Sequence, residues 1–255
     1  MRALQKKVVV VTGAAGGIGR AICRRFAEEG ALIAAVDINA EALAALDAEL
    51  KPLGAKTMLV PLDITDHDAV VKAMASVKSQ LGRIDALVNN AGWDLPVQFI
   101  ESTPDFWSKV IAINLVGPLN MHHAVLPHMV ADGGGMIVNI SSDAGRVGSS
   151  GESVYSACKG GIIAFTKTMA RECAKFNIRL NAVCPGPTDT PLLQSFLGEG
   201  EYGQKLYDGL KRSIPLKRLG QPEDLAGIVA FMTSADAEFI TGQVISVSGG
   251  LTMHG

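Results

Sequence analysis

Tyr155 and Lys159, four residues apart in the stretch SVYSACKGG at 153–161, have the types and the spacing for proton-transfer chemistry. On a helix, positions i and i+4 share a face, so a phenol and an ammonium set there can act on one point. A tyrosine with an ordinary pKa of about 10 is a poor base near neutrality. Lowering it by roughly 3 units takes about 4 kcal/mol at 1.36 kcal/mol per unit. One positive charge about 4 Å away supplies energy of that order at an effective dielectric near 20. The neighbours Ser156, Ala157, Gly160 and Gly161 are small and would let a flat ligand lie against the helix. Taken alone, the pair reads equally as a solvated tyrosine beside a surface lysine.

A second group of residues points to phosphate. VTGAAGGIGRAI follows an apolar run and opens an amphipathic one. Gly13 permits a sharp turn, Gly17 a close approach of backbone to a pyrophosphate, and Gly19 tight helix–strand packing. The free N–H groups of the helix start present positive charge to the phosphates. Asp37, 18 residues beyond Gly19, closes the next apolar run. An acid there suits the adenosine ribose hydroxyls and repels a 2′-phosphate. No Arg or Lys follows it in DINAE, so NAD is expected over NADP. Arg20 is the nearby cation that would soften this preference, unless it lies on a solvated helix face. The competing role for Asp37 is a cap for a helix at 40–50.

Strands and helices must hold these groups. Short β-branched runs at 7–12, 31–37, 56–63, 84–92, 135–142, 178–186 and 243–250 read as strands, the first of them apolar throughout and so buried on both faces. Amphipathic stretches at 18–29, 40–50 and 66–81, from Pro104 to the glycines at 133–135, and at 153–176 read as helices, with Asp66 capping one and STPDF opening another. Strict alternation predicts an α/β architecture: a single-domain Rossmann fold over 1–255, with a doubly wound, seven-stranded parallel sheet flanked by helices. The stretch 186–221 is too polar and glycine-broken for core, and 188–215 is expected to form a substrate lid.

The 255-residue chain has a formal charge of −2, so no basic surface advertises nucleic acid or acidic lipid. No segment approaches a membrane span of about 18 apolar residues. Cys23, Cys158, Cys173 and Cys184 have no zinc-like spacing and read as free thiols of a soluble, cytoplasmic protein. His122 and His123 have no acid or further His at ligand spacing, so no metal is expected.

The residues together resemble the short-chain dehydrogenase/reductase family from about residue 5 to the C-terminus. The resemblance rests on TGAAGGIG at 12–19, NNAG at 89–92, Asn114 in IAINLVG, Ser142 in IVNISS, YSACK at 155–159 and PGPTDT at 185–190. It implies Tyr155 as acid/base, Lys159 as its electrostatic partner and ribose ligand, Ser142 as donor to the substrate oxygen, and Asn114 as a water-relay residue. It also implies that Asp63 reads the adenine amino group and that Asn89 and Gly92 flank the adenosine. Thr188 and Thr190 would hold the carboxamide, with Ile18, Ile64, Ala91, Pro185 and Gly186 completing the cofactor contacts. A homotetramer is implied as well. Ser248 stands where many members carry Asp.

Within the family, NNAGWD, MHHAVLP, RVGSSGE, CPGPTDT and ITGQVISVSGGLTM are similar to a branch that oxidises a ring alcohol beside a CoA thioester with NAD. The expected substrate is therefore an acyl-CoA thioester bearing a secondary alcohol. Trp93 and Val147 would pack the ring, or only pack their loops. Arg146 would meet the thioester or a CoA phosphate, or else pair with Glu152 or Asp143. Lys205, Lys211 and Arg212 give the lid a basic edge suited to CoA phosphates, or form a solvated face. The rivals are a 3-oxoacyl-thioester reductase, a generic secondary-alcohol or sugar dehydrogenase, and a non-catalytic NAD sensor.

Overall fold

The seven runs become seven strands in the computed structural model, which describes residues 1–197 and 200–253. They are β1 (Val8–Thr12), β2 (Leu32–Asp37), β3 (Lys56–Pro61), β4 (Ala86–Asn89), β5 (Gly135–Ile140), β6 (Ile178–Pro185) and β7 (Val244–Val247). All pair in parallel, in the order β3-β2-β1-β4-β5-β6-β7. The chain winds outward to β3, crosses back beside β1, and winds outward again to β7, which is the doubly wound topology.

Ten helices cover the two faces among the described residues: α1 (Gly17–Glu28), α2 (Ala40–Leu50), α3 (His67–Leu81), α4 (Pro104–Ile111), α5 (Gly117–Ala131), α6 (Ala144–Val147), α7 (Ser153–Cys173), α8 (Pro191–Leu197), α9 (Glu201–Ser213) and α10 (Pro222–Thr233). Strand alternation sorts the core. Val9, Val11, Ile33 and Ala35 pack with α1, α2 and α10, whereas Val8, Val10, Ala34 and Val36 pack with α3, α5 and α7. Both faces are covered, so these strands read as unbroken apolar runs.

Asn39, not Asp37, caps α2, accepting the Ala42 N–H at 3.0 Å. Asp66 caps α3 and Thr103 caps α4 as expected. The segment from Pro104 is not one helix: a π turn, Ala112–Val116, separates α4 from α5. There the Gly117 N–H reaches back five residues to the Ala112 carbonyl. The Asn114 side chain accounts for the break, because its Nδ2 donates to Val110 O at 2.9 Å. That is the carbonyl which residue 114 would bond through its backbone in a regular helix.

The sheet also stops short of the expected strand ends at 90–92, 141–142, 186 and 248–250, and all of these form loops at its C-terminal edge. The expected lid carries α8 and α9, with 198–199 outside the described residues. Among the described residues no helix is long and apolar enough to cross a membrane.

Candidate active site

A cleft of ≈ 830 Å³ opens at the C-terminal edge of β1, β2 and β4, where the strand order reverses. This is where ligands bind in open α/β sheets. Its floor is the glycine loop. Gly13 adopts φ 60, a conformation that favours glycine. A Cβ on Gly19 would lie 2.0 Å from Gly13 O, so the helix start can close on the loop only as glycine. A Cβ on Gly17 would lie 3.1 Å from the Thr190 methyl carbon and would fill the gap between loop and lid. The Thr12 hydroxyl accepts the N–H groups of Asn90 and Ala91, each at 3.0 Å, and so ties the loop after β4 to β1.

Gly13, Gly17, Ile18, Asp37, Asp63, Ile64, Ala91, Gly92, Trp93 and Thr190 all line this cleft. The Asp37 carboxylate accepts the Ala15 N–H at 3.1 Å and the Asn39 N–H at 3.0 Å, which fixes it at the rim. Asp63 is held by the N–H and hydroxyl of Thr65, at 2.9 and 2.7 Å. Arg20 is engaged with Glu49 at 3.0 Å and is not among the lining residues. A glycine cradle at a helix start, with carboxylates beyond it, fits an adenine dinucleotide. Gly13, Gly17, Asp37 and Asp63 would hold its adenosine and phosphates.

Asn89 is placed differently from expectation. It is the last residue of β4, and its side chain enters a buried network, donating to Asn139 Oδ1 at 3.0 Å beside His122. Asn90 lines the cleft instead, its amide donating to the Thr12 and Gly13 carbonyls at 3.0 and 3.1 Å. Thr190 caps α8 through its Oγ1, which accepts the Leu193 N–H at 3.2 Å. Thr188 is buried and donates to Gly186 O at 2.9 Å. Pro185 ends β6, and Gly186 packs so closely on Ser248 that a Cβ would fall 2.7 Å from its Cβ.

Asn114, Ser142, Tyr155 and Lys159 come together beyond Gly92. A Cβ on Gly92 would lie 3.0 Å from Asn114 Oδ1 and 3.4 Å from Lys159 Nζ. Asn114 Nδ2 also donates to Trp93 O at 2.6 Å, locking this loop to the π turn. Lys159 is buried, donates to Ile140 O at 3.1 Å, and has Nζ 5.4 Å from the Tyr155 ring centroid. Burial pushes its amine down to about 8. The Tyr155 phenol is pushed above its ordinary value, first by burial and then by the Glu152 charge, while the Ser142 side chain pulls it back. The lowering expected from Lys159 does not emerge: burial dominates, and the phenol keeps its proton in this state.

Trp93 forms one wall of the cleft, with Lys109 Nζ 3.8 Å above its ring and Phe106 edge-on at 6.1 Å. Val147 is 61% exposed and lies outside the cleft lining. Arg146 turns to β7, donating to Ser246 Oγ at 2.9 Å, and Ser246 in turn donates to Asp143. It holds the loop after β5 against the last strand. Lys205 lies 3.9 Å from Glu201 on an exposed helix face. His122 is buried and its ring is pushed down to about 4 by burial, whereas His123 sits 3.1 Å from His67 at the surface. Sequence reasoning passed over Asp94, which is 3% exposed and whose carboxyl is pushed up to about 6, chiefly by burial, with the Glu152 charge adding to it. The nearest signal was the acid closing NNAGWD.

A family model described as enoyl-(acyl carrier protein) reductase matches residues 13–252. The chain is 40% identical over 250 residues to the 3-oxoacyl-[acyl-carrier-protein] reductase FabG of Thermotoga maritima, covering 98% of this chain and 99% of the relative. It is 39% identical over 246 residues to the acetoacetyl-CoA reductase of Shinella zoogloeoides, covering 96% and 98%. A solved NAD+-bound xylitol dehydrogenase superposes with a TM-score of 0.89 at 32% identity, over 98% of this chain and 100% of that one.

Proposed function

The chain belongs to the short-chain dehydrogenase/reductase family of oxidoreductases, and on that premise we propose that it interconverts a 3-hydroxyacyl and a 3-oxoacyl thioester with NAD. The specific substrate proposed is 2-hydroxycyclohexane-1-carboxyl-CoA, oxidised to 2-ketocyclohexane-1-carboxyl-CoA. That ring alcohol is β to its thioester, so it has the connectivity reduced in reverse by an acetoacetyl-CoA reductase, the name carried by one relative.

The carrying observation is the gathering of Asn114, Ser142, Tyr155 and Lys159 behind Gly92, which lines the cleft whose rim holds Asp37, although none of the four is itself in that lining. Bound NAD would supply a hydride acceptor and a positively charged ring. Asp37 favours ribose hydroxyls and opposes a 2′-phosphate, and the lysine among the lining residues, Lys109, is placed over the Trp93 ring. Ser142 would donate to the substrate oxygen, and Tyr155 would exchange the proton with it. Proton loss from Tyr155 works against burial, so it needs the positive charges of Lys159 and of the occupied site. Asn114 positions the Trp93 loop and the π turn around Lys159.

A second reading, a reductase of acyl-carrier-protein thioesters, is favoured by the name of the Thermotoga maritima relative. The test is turnover with NAD and NADP over hydroxyacyl-CoA thioesters, beside their free acids and simple secondary alcohols. The thioester proposal expects the CoA compounds to win with NAD; activity confined to compounds without a thioester overturns it.

A further inference from the structure

Two carboxyl groups that the proposed mechanism does not use stand beside Tyr155. Asp94 follows Trp93 on the loop after β4, and Glu152 precedes α7, three residues before Tyr155 and so on the same helix face. The two loops are fastened together, since the Val97 N–H donates to Gly151 O at 2.8 Å. Asp94 interacts with Glu152 and with the Leu95 N–H, and the charges of both carboxyls reach Tyr155. Asp94 is 3% exposed, yet its Oδ2 has no hydrogen-bond partner among the described residues. A buried carboxyl oxygen left without a partner is costly to keep. Here it lies next to the group that would meet the substrate.

We propose that Asp94 and Glu152 form one acidic unit that admits a neutral polar group beside the reacting carbon and excludes a free carboxylate. The inference rests on the reading of Tyr155 as the reacting end of the cleft. The other titratable groups facing the unit are Tyr155, Cys158 and Lys159 from α7, with Cys184 of β6 facing Tyr155 and Lys159 in turn. Lys159 is the one cation among them, and its charge acts against that of Asp94. Below about pH 6 Asp94 holds a proton and can donate it to a neutral carbonyl; above that it is a carboxylate and repels a second one. A thioester or ester carbonyl is accepted in either state better than a carboxylate. This gives a physical reason for a thioester over its free acid that needs no contact with the CoA nucleotide.

The test uses two ketones with the same acetoacetyl skeleton, the neutral ethyl acetoacetate and the anionic acetoacetate, reduced by the full-length enzyme with NADH from about pH 5 to about 8. The wild type should prefer the ester, with a kcat/KM ratio that widens as pH rises through the ionisation of Asp94. Asp94→Asn should keep a preference but lose its pH dependence. Asp94→Asn combined with Glu152→Gln should cut the ratio by roughly 10- to 100-fold, the order expected for like charges about 6 Å apart at an effective dielectric near 20. A ratio that is flat with pH in the wild type, or unchanged in the double variant, overturns the inference even if both ketones are reduced. If neither ketone is reduced, the same ratio is read from binding of both compounds to the enzyme–NADH complex by saturation-transfer NMR, while the proposed function is judged separately by turnover of the hydroxyacyl-CoA thioesters. Equal binding there also overturns the inference. Independently of turnover, carboxyl-carbon NMR should show one aspartate titrating near pH 6 that vanishes in Asp94→Asn and moves down in Glu152→Gln. Absence of that signal refutes the unit.

Discussion

Gly19→Ala is expected to damage both stability and dinucleotide binding, although alanine is the better helix former. The new Cβ would sit 2.0 Å from Gly13 O and 2.8 Å from Asn90 Nδ2. An ordinary C···O contact is about 3.3 Å or longer, so the carbonyl must retreat by more than about 1 Å. It cannot do so freely, because the Gly16 N–H and the Asn90 amide hold it at 3.2 and 3.1 Å. Overpacking of this kind costs up to about 3 kcal/mol, and each hydrogen bond displaced about 1 kcal/mol more. The helix-propensity gain of alanine returns about 1 kcal/mol. The net loss is about 3 to 4 kcal/mol, which lowers Tm by roughly 10 °C for a domain of about 250 residues. Moving the loop should also weaken NADH binding by at least about tenfold, the equivalent of 1.4 kcal/mol.

The internal control is Gly227→Ala on α10, where the nearest atom to a new Cβ is Arg25 Nη1 at 3.9 Å. That change should raise Tm by about 2 to 4 °C, since nothing opposes the propensity gain of about 1 kcal/mol. Thermal unfolding and NADH fluorescence titration read both variants. If Gly19→Ala behaves like Gly227→Ala in both assays, the packing of the glycine loop described here is wrong.

Three further outcomes are expected. Tyr155→Phe should lose about 10²- to 10⁴-fold in kcat, the range for removing a general acid–base group, with NADH affinity kept; near-full turnover refutes its role. Lys159 titrates at about 8 in the fold against about 10.4 when free, so the unfolded chain binds more protons between those values and stability rises with pH across that window, by up to about 3 kcal/mol. The raised thiols of Cys23 and Cys184 act in the opposite sense, so the effect is read as a difference from Lys159→Met, in which this rise should vanish from urea-unfolding midpoints. Asp37→Ser should raise kcat/KM for NADP while lowering that for NAD, and an unchanged ratio would remove Asp37 from cofactor choice.

Most of the scaffold is legible in the sequence because its signals are local. The apolar run at Val8–Thr12, the glycines after it and the caps at Asp66 and Thr103 each depend on neighbours a few residues away. The parts that escaped depend on distant partners. The π turn exists because the Asn114 side chain takes the carbonyl of Val110, and its second bond, to Trp93 O, joins it to a distant loop that no helical periodicity encodes. Whether Asn89 or Asn90 faces the cleft turns on where β4 leaves the sheet, and a side-chain period of two reverses with a one-residue change. Arg146 lies shortly before Tyr155 in sequence but bonds to β7 near the end of the chain. Asp94 and Glu152 meet only because their loops are joined at Val97 and Gly151.

The π turn at Ala112–Val116 acts as a phase shift. One extra residue in a helix advances every later side chain by about 100° around the axis. Before it, α4 serves α7; after it, α5 serves β4 and α3, through Met121, Ala124, Val125 and Met129. An unbroken helix would carry one apolar stripe in one direction and could satisfy only one of these neighbours. The interruption lets a single stretch of chain answer to two surfaces, and it places Asn114 at the seam between them. Asn114 therefore sits where the register of the scaffold is reset, and straightening the helix would misalign the core and the candidate site together.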